Sequence, residues 1–526
     1  MLKVLNPREN YNAIQLSMLL ETSISFEDIA KDDLLRTVMK VIERINLKKW
    51  IDFKKMRSDA YDPISLLTVL LFAYAKYGYA SLRQLEEIGR YDLRCRLLLQ
   101  GQTPSYKTYE RFINHTLKGS IEELNHQVYL WIQDQKALEE GILYLDGTKF
   151  EANANKMTFF WGAWIRRYRP RHWQKAMEIV RQINQYFKKE GIAIRYSILK
   201  EPQLEYLIEI DERLNQWLEE RGAIRKGRGI HPIAKLDREL RKVAKSCWEY
   251  ALAKEIMGER NSFSKTDPDA TMMHMKYDYY NHTNVFKPGY NLQIGVNQGY
   301  IAYTYINADA NDMKTYIPFL EGYKKCFSDY PKMTVADAGY GSFMNYTYAQ
   351  KHDIRGIMKY SGYEKKKEKV NEKNRFQLIH MERAEDGTPI CPQGYRFESE
   401  KVTMQWIQEV PKITIHYRNH HCEGCPLRHR CTTSQKGRSA RISPQLERMQ
   451  RRIDDYLETP EGRQRMAERN AQAEGAFADI KKNFGYSLLH RRGESGVKVE
   501  LGLVTLGYNL RRYHNRKTEE KPEILH

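Results

Sequence analysis

The sequence predicts an α/β core that is interrupted twice and preceded by a helical region. Two short apolar runs, Ile142–Leu145 and Met333–Ala336, each lead into an aspartate with a glycine one or two residues later, which is typical of buried strands that deliver a carboxylate to a sheet edge. Between them, residues 290–296 and 300–306 alternate apolar and polar side chains around Asn297-Gln298-Gly299, which predicts a β-hairpin. A charged stretch with helical spacing and a later stretch of Lys/Glu-rich loops interrupt this pattern and predict the two interruptions.

The region before the core has helical spacing from about residue 27 to 120. Asp62-Pro63 predicts a helix start, because aspartate can cap a helix and proline suits its first turn. Shorter helices are expected at Ser81–Arg90 and Ser105–Leu117. The pattern fits a helix-turn-helix-like unit and an ordinary helical bundle equally well.

The order of the core elements is more specific. A strand with Asp146 is followed by an insertion, a hairpin, a helix near 312–327, a strand with Asp337, a helix near 343–352 and a strand near 354–358. This order matches the ribonuclease-H-like α/β architecture with an insertion after its first strand. The predicted division is 1–125 helical DNA-binding domain, 126–162 first part of the core, 163–285 basic helical insertion, 286–361 second part of the core, 362–444 cysteine-rich zinc-binding insertion, and 445–526 C-terminal helices that complete the core.

The composition favours a polyanionic partner. Among 526 residues, 86 Lys and Arg exceed 67 Asp and Glu, so the formal net charge is +19, and 36 tyrosines are interleaved with the basic residues. Nucleic acid fits best, although a merely basic surface is the alternative. The longest apolar run, Leu66–Ala75, is too short for a membrane helix, and no secretory leader is visible, so a cytoplasmic protein without a membrane partner is expected.

One segment concentrates this charge. Residues 165–189 hold eight Lys or Arg and one Glu, with Tyr168, Trp173, Tyr186 and Phe187 among them. Such interleaving predicts a surface that binds a nucleic-acid backbone. The expected DNA contacts are Arg166, Arg167, Arg169 and Arg171.

Three carboxylates carry the predicted chemistry. Asp146 and Asp337 follow apolar strands, and Glu474 adjoins the apolar stripe of a helix that continues to Lys481, two turns further on the same side. Carboxylates on two strands and a helix suit two Mg²⁺ ions, because Mg²⁺ takes oxygen ligands and keeps positions for water and phosphate. Lys481 is expected to contact a phosphate.

The chain resembles an insertion-sequence transposase of the DDE class, in the branch with a cysteine-bearing insertion before the catalytic Glu. The matching segments are LDGTKFEANANKMTFFW at 145–161, TDPDAT at 266–271, KPGYNLQIG at 287–295, VADAGYGS at 335–342, AEGAFADIKKNFGY at 473–486 and LGLVTLGYNLRR at 501–512. The resemblance implies that Asp146, Asp337 and Glu474 hold the catalytic Mg²⁺ or Mn²⁺ ions. Related enzymes carry a Tyr-Arg-Glu-Lys signature with Arg four residues before Glu. Lys481 fits that signature, whereas Asn470 stands at the Arg position and Arg469 lies one place earlier.

Four late cysteines predict a second metal site. Cys391, Cys422, Cys425 and Cys431 include a C-x2-C pair and have loop spacing typical of a tetrahedral structural Zn²⁺ site. His420, His421 and His429 are alternatives for one ligand, and an iron–sulfur cluster or reduced, unliganded cysteines are the other readings.

The sequence therefore predicts a prokaryotic, nucleoid-associated DNA transposase. It would bind the terminal inverted repeats of its element as a homodimer, then cut and join double-stranded element and target DNA with two metal ions per active site. The alternatives are a domesticated DNA-binding protein without catalysis and a ribonuclease-H-like nuclease without strand transfer.

Overall fold

The computed structural model describes residues 25–47, 61–275 and 285–519, which fall into two compact units. The first unit takes its residues from 1–150, 291–490 and 495–526, and the second from 151–290 and 491–494. The chain is mixed α/β with a helical N-terminal region. The six-part division of the sequence stays a prediction.

The N-terminal helices begin at polar caps. The Asp62 side chain accepts a hydrogen bond from the Ser65 backbone N–H at 2.8 Å, as the Asp62-Pro63 pair predicts, and Ser81 and Gln84 form a reciprocal capping box. The helix expected from Ser105 continues into a π-helical turn at Phe112–Leu117. The helices are α1 (Leu34–Arg44), α2 (Pro63–Tyr77), α3 (Leu82–Tyr91), α4 (Leu93–Leu98), α5 (Tyr106–Arg111) and α6 (Ile121–Lys136).

In the described part of the chain, no single helix is long and apolar enough to cross a membrane. Helices α2 and α3 together pass that test on length and composition, but they are bent by 105° relative to each other.

The elements from the first to the fourth core strand include the first insertion. They are β1 (Ile142–Glu151), β2 (Phe159–Trp161), α7 (Gly162–Lys189), α8 (Leu204–Glu220), α9 (Pro232–Met257), β3 (Ser262–Ser264), β4 (Thr271–His274), β5 (Phe286–Asn297), β6 (Tyr300–Asn307), α10 (Tyr316–Phe327) and β7 (Met333–Gly341). The rest of the described chain contains α11 (Phe343–Lys351), β8 (Arg355–Tyr360), α12 (Tyr363–Lys367), β9 (Glu382–Arg383), β10 (Pro389–Ile390), β11 (Glu398–Ile407), β12 (Val410–Arg418), α13 (Arg428–Cys431), β13 (Ser439–Ile442), α14 (Pro444–Glu458), α15 (Pro460–Arg469), α16 (Gly475–Ala478) and α17 (Glu494–Glu519).

The first unit is built on a sheet with the order β6-β5-β1-β7-β8. Strands β5 and β6 are antiparallel, and the predicted hairpin turn falls at Gln298 and Gly299, whose φ angles of 47° and 86° suit a tight turn. Strands β1, β7 and β8 run parallel, so their carboxyl ends lie at the same edge. In the second unit, β4 pairs with the first residues of β5.

The expectation that the first and fourth core strands stop at their aspartates is wrong. Strand β1 runs on to Glu151 and β7 to Gly341, so Asp146 and Asp337 lie inside them. Asp146-Gly147 makes no turn; instead Gly147 permits a close approach, since a Cβ there would lie 2.4 Å from Gln293 Nε2.

Helix α17 explains the glycines of the segment 501–512. A Cβ on Gly502 would lie 2.5 Å from Ile121, and one on Gly507 would lie 2.6 Å from the Tyr74 backbone. The helix therefore packs closely on α6 and α2. Asn509 also accepts a hydrogen bond from the Ile301 N–H at 2.9 Å and donates one to its carbonyl at 2.8 Å, which ties α17 to β6.

The second unit has its own core between α7, α8 and α9. Trp173 and Phe187 are 4% and 0% exposed within it, so the expectation that both stand on a nucleic-acid-binding surface is wrong. Their helical spacing with Ala176, Val180 and Ile183 places them on the inward stripe of α7.

The cysteine-bearing segment has little core of its own. Strands β11, β12 and β13 form an antiparallel sheet, and its buried cluster comprises Met381, Phe397, Tyr417, Ala440 and Ile442. Such a small cluster buries little apolar area, so the segment needs a further source of stability.

Candidate active site

Asp146 and Asp337 lie side by side at the carboxyl edge of the parallel strands. The last residues of β1 and β7 in parallel register are Tyr144 and Val335, and each aspartate lies two residues beyond. Burial raises the pKa of Asp146 to about 6, a rise that Arg469 opposes and the negative charge of Asp337 reinforces. The two carboxylates are therefore close enough to repel each other, as the strand pattern predicts.

Asp337 also organises its own turn. Its Oδ1 accepts a hydrogen bond from the Gly339 N–H at 2.8 Å. A Cβ on Gly339 would lie 3.0 Å from the same oxygen, so a bare glycine leaves the carboxylate in place.

Glu474 joins this edge through an arginine. Arg469 is 7% exposed, and its Nη2 lies 3.1 Å from Asp146 Oδ1, while its Nη1 lies 3.7 Å from Glu474 Oε1. The Glu474 side chain itself is 60% exposed. One guanidinium thus stands between two of the three predicted metal ligands.

A π-helical turn explains the displaced arginine. Residues 470–474 form hydrogen bonds with a five-residue spacing, which adds one residue to the turn compared with an α-helix. Arg469, five residues before Glu474, therefore approaches the side that a residue four before it would occupy in an α-helix. The sequence spacing alone left this residue outside the signature.

The carboxylates are not gathered into a metal-binding set. Across residues 25–47, 61–275 and 285–519, no group of three or more His, Cys, Asp or Glu side chains is arranged to hold a metal ion. At the sheet edge, the Arg469 guanidinium lies between two of these carboxylates, 3.1 Å from Asp146 and 3.7 Å from Glu474. The roles of Asp146, Asp337 and Glu474 stay predictions.

Lys481 turns toward β1. Its Nζ donates to the Thr148 hydroxyl and to the Lys149 carbonyl, both at 2.7 Å, and lies 4.4 Å from the centre of the Phe150 ring. A second π-helical turn, Asp479–Asn483, places it there. The Lys481 ammonium group contacts Thr148, two residues after Asp146, so a phosphate bound to it, as predicted, would lie next to the carboxylates.

Four polar residues near this edge escaped the sequence prediction. Asp312 lies in a 3₁₀ turn after β6, and its Oδ1 accepts from Asn291 Nδ2 at 2.6 Å and from Gln293 Nε2 at 3.0 Å. The Tyr340 hydroxyl donates to Gln293 Oε1. Burial, and then the charges of Asp312, Asp146 and Asp337, raise the Tyr340 pKa well above its usual value, so the hydroxyl stays a donor. The sequence signal that could have found them is that polar Asn291 and Gln293 alternate with apolar residues on β5. The Gln293 side chain approaches Gly147.

The four arginines of the basic segment lie in the second unit on α7. Arg166, Arg167 and Arg171 are exposed, whereas Arg169 is half-buried and lines a cavity of about 170 Å³ with Trp173 and Cys247. The Arg167 and Arg171 guanidinium groups lie 5.7 and 5.8 Å from the Tyr168 ring. Three of the four guanidinium groups are therefore exposed on α7, and their contact with DNA stays a prediction.

The Cys431 thiol lies within electrostatic range of the other three late cysteines. Burial raises the pKa of the Cys431 thiol; Arg438 opposes the rise, and Cys422, Cys391 and Cys425 reinforce it. The Cys422 thiol donates to the Asn419 carbonyl at 3.3 Å and accepts from the Arg438 N–H at 3.4 Å. Their sulfurs are thus within electrostatic range, although they do not form a metal-holding group.

Two family models match the chain. A transposase DDE domain matches residues 390–514, which include Glu474 and Lys481, and a transposase domain (DUF772) matches residues 24–115. No curated protein matches it. The two family matches indicate an insertion-sequence transposase of the DDE class, and the DDE match implies a ribonuclease-H-like fold.

Proposed function

We propose that this protein is a DNA transposase that binds the ends of its mobile element and catalyses metal-dependent phosphodiester cleavage and strand transfer. The observation that carries the proposal is the pairing of Asp146 and Asp337 at one sheet edge, with Glu474 linked to Asp146 through Arg469. The ribonuclease-H-like core would be interrupted by the helical and the cysteine-bearing insertions.

The donor set fits a divalent metal, because carboxylate oxygens are the ligands that Mg²⁺ and Mn²⁺ prefer. Enzymes of this class generally use divalent metals. Asp146, Asp337 and Glu474 would hold them, and two bound ions would supply an activated nucleophile and stabilise the leaving oxygen. Arg469 would have to leave Asp146 for that, since its guanidinium lies 3.1 Å from the carboxylate.

The remaining groups would handle the DNA. Lys481 stands beside β1 and would lie near the scissile phosphate, and Arg469 would gain a phosphate partner when it releases Asp146. The exposed arginines of α7 would bind the backbone of the element's ends. Because such ends come in pairs, a homodimer on DNA is part of the proposal, as is its place at the nucleoid in the cytoplasm of a prokaryote.

Zinc belongs to the same proposal. Four thiols within electrostatic range, with a backbone N–H directed at Cys422, suit a tetrahedral Zn²⁺ site. The ion would stabilise a segment whose apolar cluster is small.

The test incubates the purified protein with supercoiled plasmid that carries the native flanking repeats, with MgCl₂, with MnCl₂ or with EDTA. Metal-dependent release of the element and its joining to target plasmid support the proposal. Release without joining indicates a nuclease, and specific binding of the repeats without cleavage in either metal indicates a DNA-binding protein without catalysis.

A further inference from the structure

We infer that Asp312 is a positioning residue of the active site, which holds the ends of β1 and β7 in place by accepting hydrogen bonds. The inference rests on the proposed function. It depends on a network of four side chains, Asn291, Gln293, Asp312 and Tyr340, which we call the cross-strand network.

The network spans the strand that carries Asp146. Gln293 lies on β5 and Tyr340 on β7, and β1 runs between those two strands. Their side chains meet because Gly147 leaves the space above β1 empty: a Cβ there would lie 2.4 Å from Gln293 Nε2 and 2.8 Å from Asp312 Oδ1. The network therefore packs against the backbone of Gly147, the residue directly after Asp146.

The same network reaches the second aspartate. Tyr340 lies three residues after Asp337 on β7, and a Cβ on Gly339 would lie 3.6 Å from Asp312 Oδ2. Asn291, Gln293 and Tyr340 are 0%, 1% and 2% exposed, so water cannot replace their partners without cost. Losing the Asp312 carboxylate would leave one N–H of each of the two buried amides on β5 unpaired, because their other N–H groups already bond the Asp309 carbonyl at 3.3 Å and Asn291 Oδ1 at 3.0 Å.

Only one oxygen of Asp312 is used. In the described part of the chain, Oδ1 accepts from Asn291 and Gln293, whereas Oδ2 accepts no side-chain or backbone hydrogen bond. An asparagine could keep the same acceptor and place its amide group where Oδ2 lies. A role in positioning therefore predicts that Asp312→Asn is tolerated and Asp312→Ala is not, while a role through negative charge predicts that both fail.

The experiment measures MnCl₂ binding by isothermal titration calorimetry and, in parallel, the rate of plasmid cleavage. Asp312→Ala should weaken Mn²⁺ binding by about 10- to 100-fold, as is usual for residues that support metal ligands, and Asp312→Asn by less than about threefold. Asp309→Ala is the matched control, since Asp309 lies in the same loop and pairs with the exposed Lys314 at 3.3 Å. Tyr340→Phe, which removes one hydroxyl and keeps the ring, should give an intermediate loss if Asp312→Ala does not fold.

Equal losses for Asp312→Asn and Asp312→Ala, or Mn²⁺ binding unchanged in Asp312→Ala, overturn the inference. If Mn²⁺ binding follows the expected order but the wild-type protein cleaves no DNA, the proposed function fails and the positioning role stands. If the wild-type protein cleaves DNA but Asp312→Ala binds Mn²⁺ as the wild type does, the proposed function stands and the positioning role fails.

Discussion

Replacing Arg469 with methionine should destabilise the metal-free protein in a way that depends on pH. Arg469 is the buried partner of Asp146, at 3.1 Å, and a buried charge that loses its partner costs about 3–5 kcal/mol. The Asp146 pKa of about 6 in the folded protein lies above its ordinary value. Ionising Asp146 therefore already costs stability as the pH rises through 6, and without Arg469 this pKa rises further.

The loss of stability caused by removing Arg469 must appear at pH values at which Asp146 would be ionised. We expect Arg469→Met to lower the free energy of unfolding by about 3 kcal/mol at pH 8 and by less than about 1 kcal/mol at pH 5, where Asp146 is protonated. Urea unfolding in EDTA at both pH values measures this. The control is Arg465→Met, one helical turn earlier, because Arg465 contacts the Tyr144 hydroxyl at 3.2 Å and Glu468 at 3.3 Å rather than Asp146.

The control should lose similar, small amounts at both pH values. A loss for Arg469→Met that is the same at pH 5 and pH 8 would refute the reasoning, since it would mean that Arg469 contributes packing and not charge.

Three further predictions concern other parts of the chain. Burial and the neighbouring Asp211 carboxyl raise the pKa of Asp237 to about 7, against the Arg241 guanidinium at 3.0 Å, so the second unit should lose stability as the pH rises from 4 to 7, and Asp237→Asn should make that loss smaller; thermal unfolding with the same pH dependence in the variant would contradict this. DNA binding should weaken steeply with salt, and the salt slope should flatten when four arginines are replaced together, namely Arg166, Arg167, Arg169 and Arg171. Removing four positive charges from the rest of α7 is the control, through Lys175, Arg181, Lys188 and Lys189, and an equal effect on the slope would show that the first four have no special role. The protein should purify with about one zinc per chain, which Cys422→Ser should lose together with the order of its segment; elemental analysis that finds no zinc in the wild type would end that proposal.

Much of the fold could be predicted because its signals are local. The apolar runs before Asp146 and Asp337, the turn at Gln298-Gly299 and the capped start at Asp62 each lie within a few residues, and the structure contains all of them. The ends of the strands could not be predicted, because past Asp146 strand β1 has a close contact that the local sequence does not show, between Gly147 and Gln293 on β5. That contact joins residues 146 positions apart.

The candidate site divides in the same way. Asp146 and Asp337 were predictable from strand pattern, whereas the place of Arg469 depends on a π-helical turn that the spacing of residues does not reveal. Asp312 was missed because its proposed role depends on contacts with Asn291 on β5 and on its approach to Gly147, which the sequence does not show. Trp173 was predicted to lie on the surface because arginines surround it in the sequence, although its helical spacing places it on the inward stripe of α7.

The most direct test of the central claim compares three amide variants, Asp146→Asn, Asp337→Asn and Glu474→Gln, in cleavage of plasmid carrying the native repeats with MgCl₂. Each variant should lose cleavage by at least about 100-fold, since each removes a predicted metal ligand, while gel-shift affinity for the repeats stays at the wild-type value. Cleavage at the wild-type rate by Asp337→Asn would contradict the account.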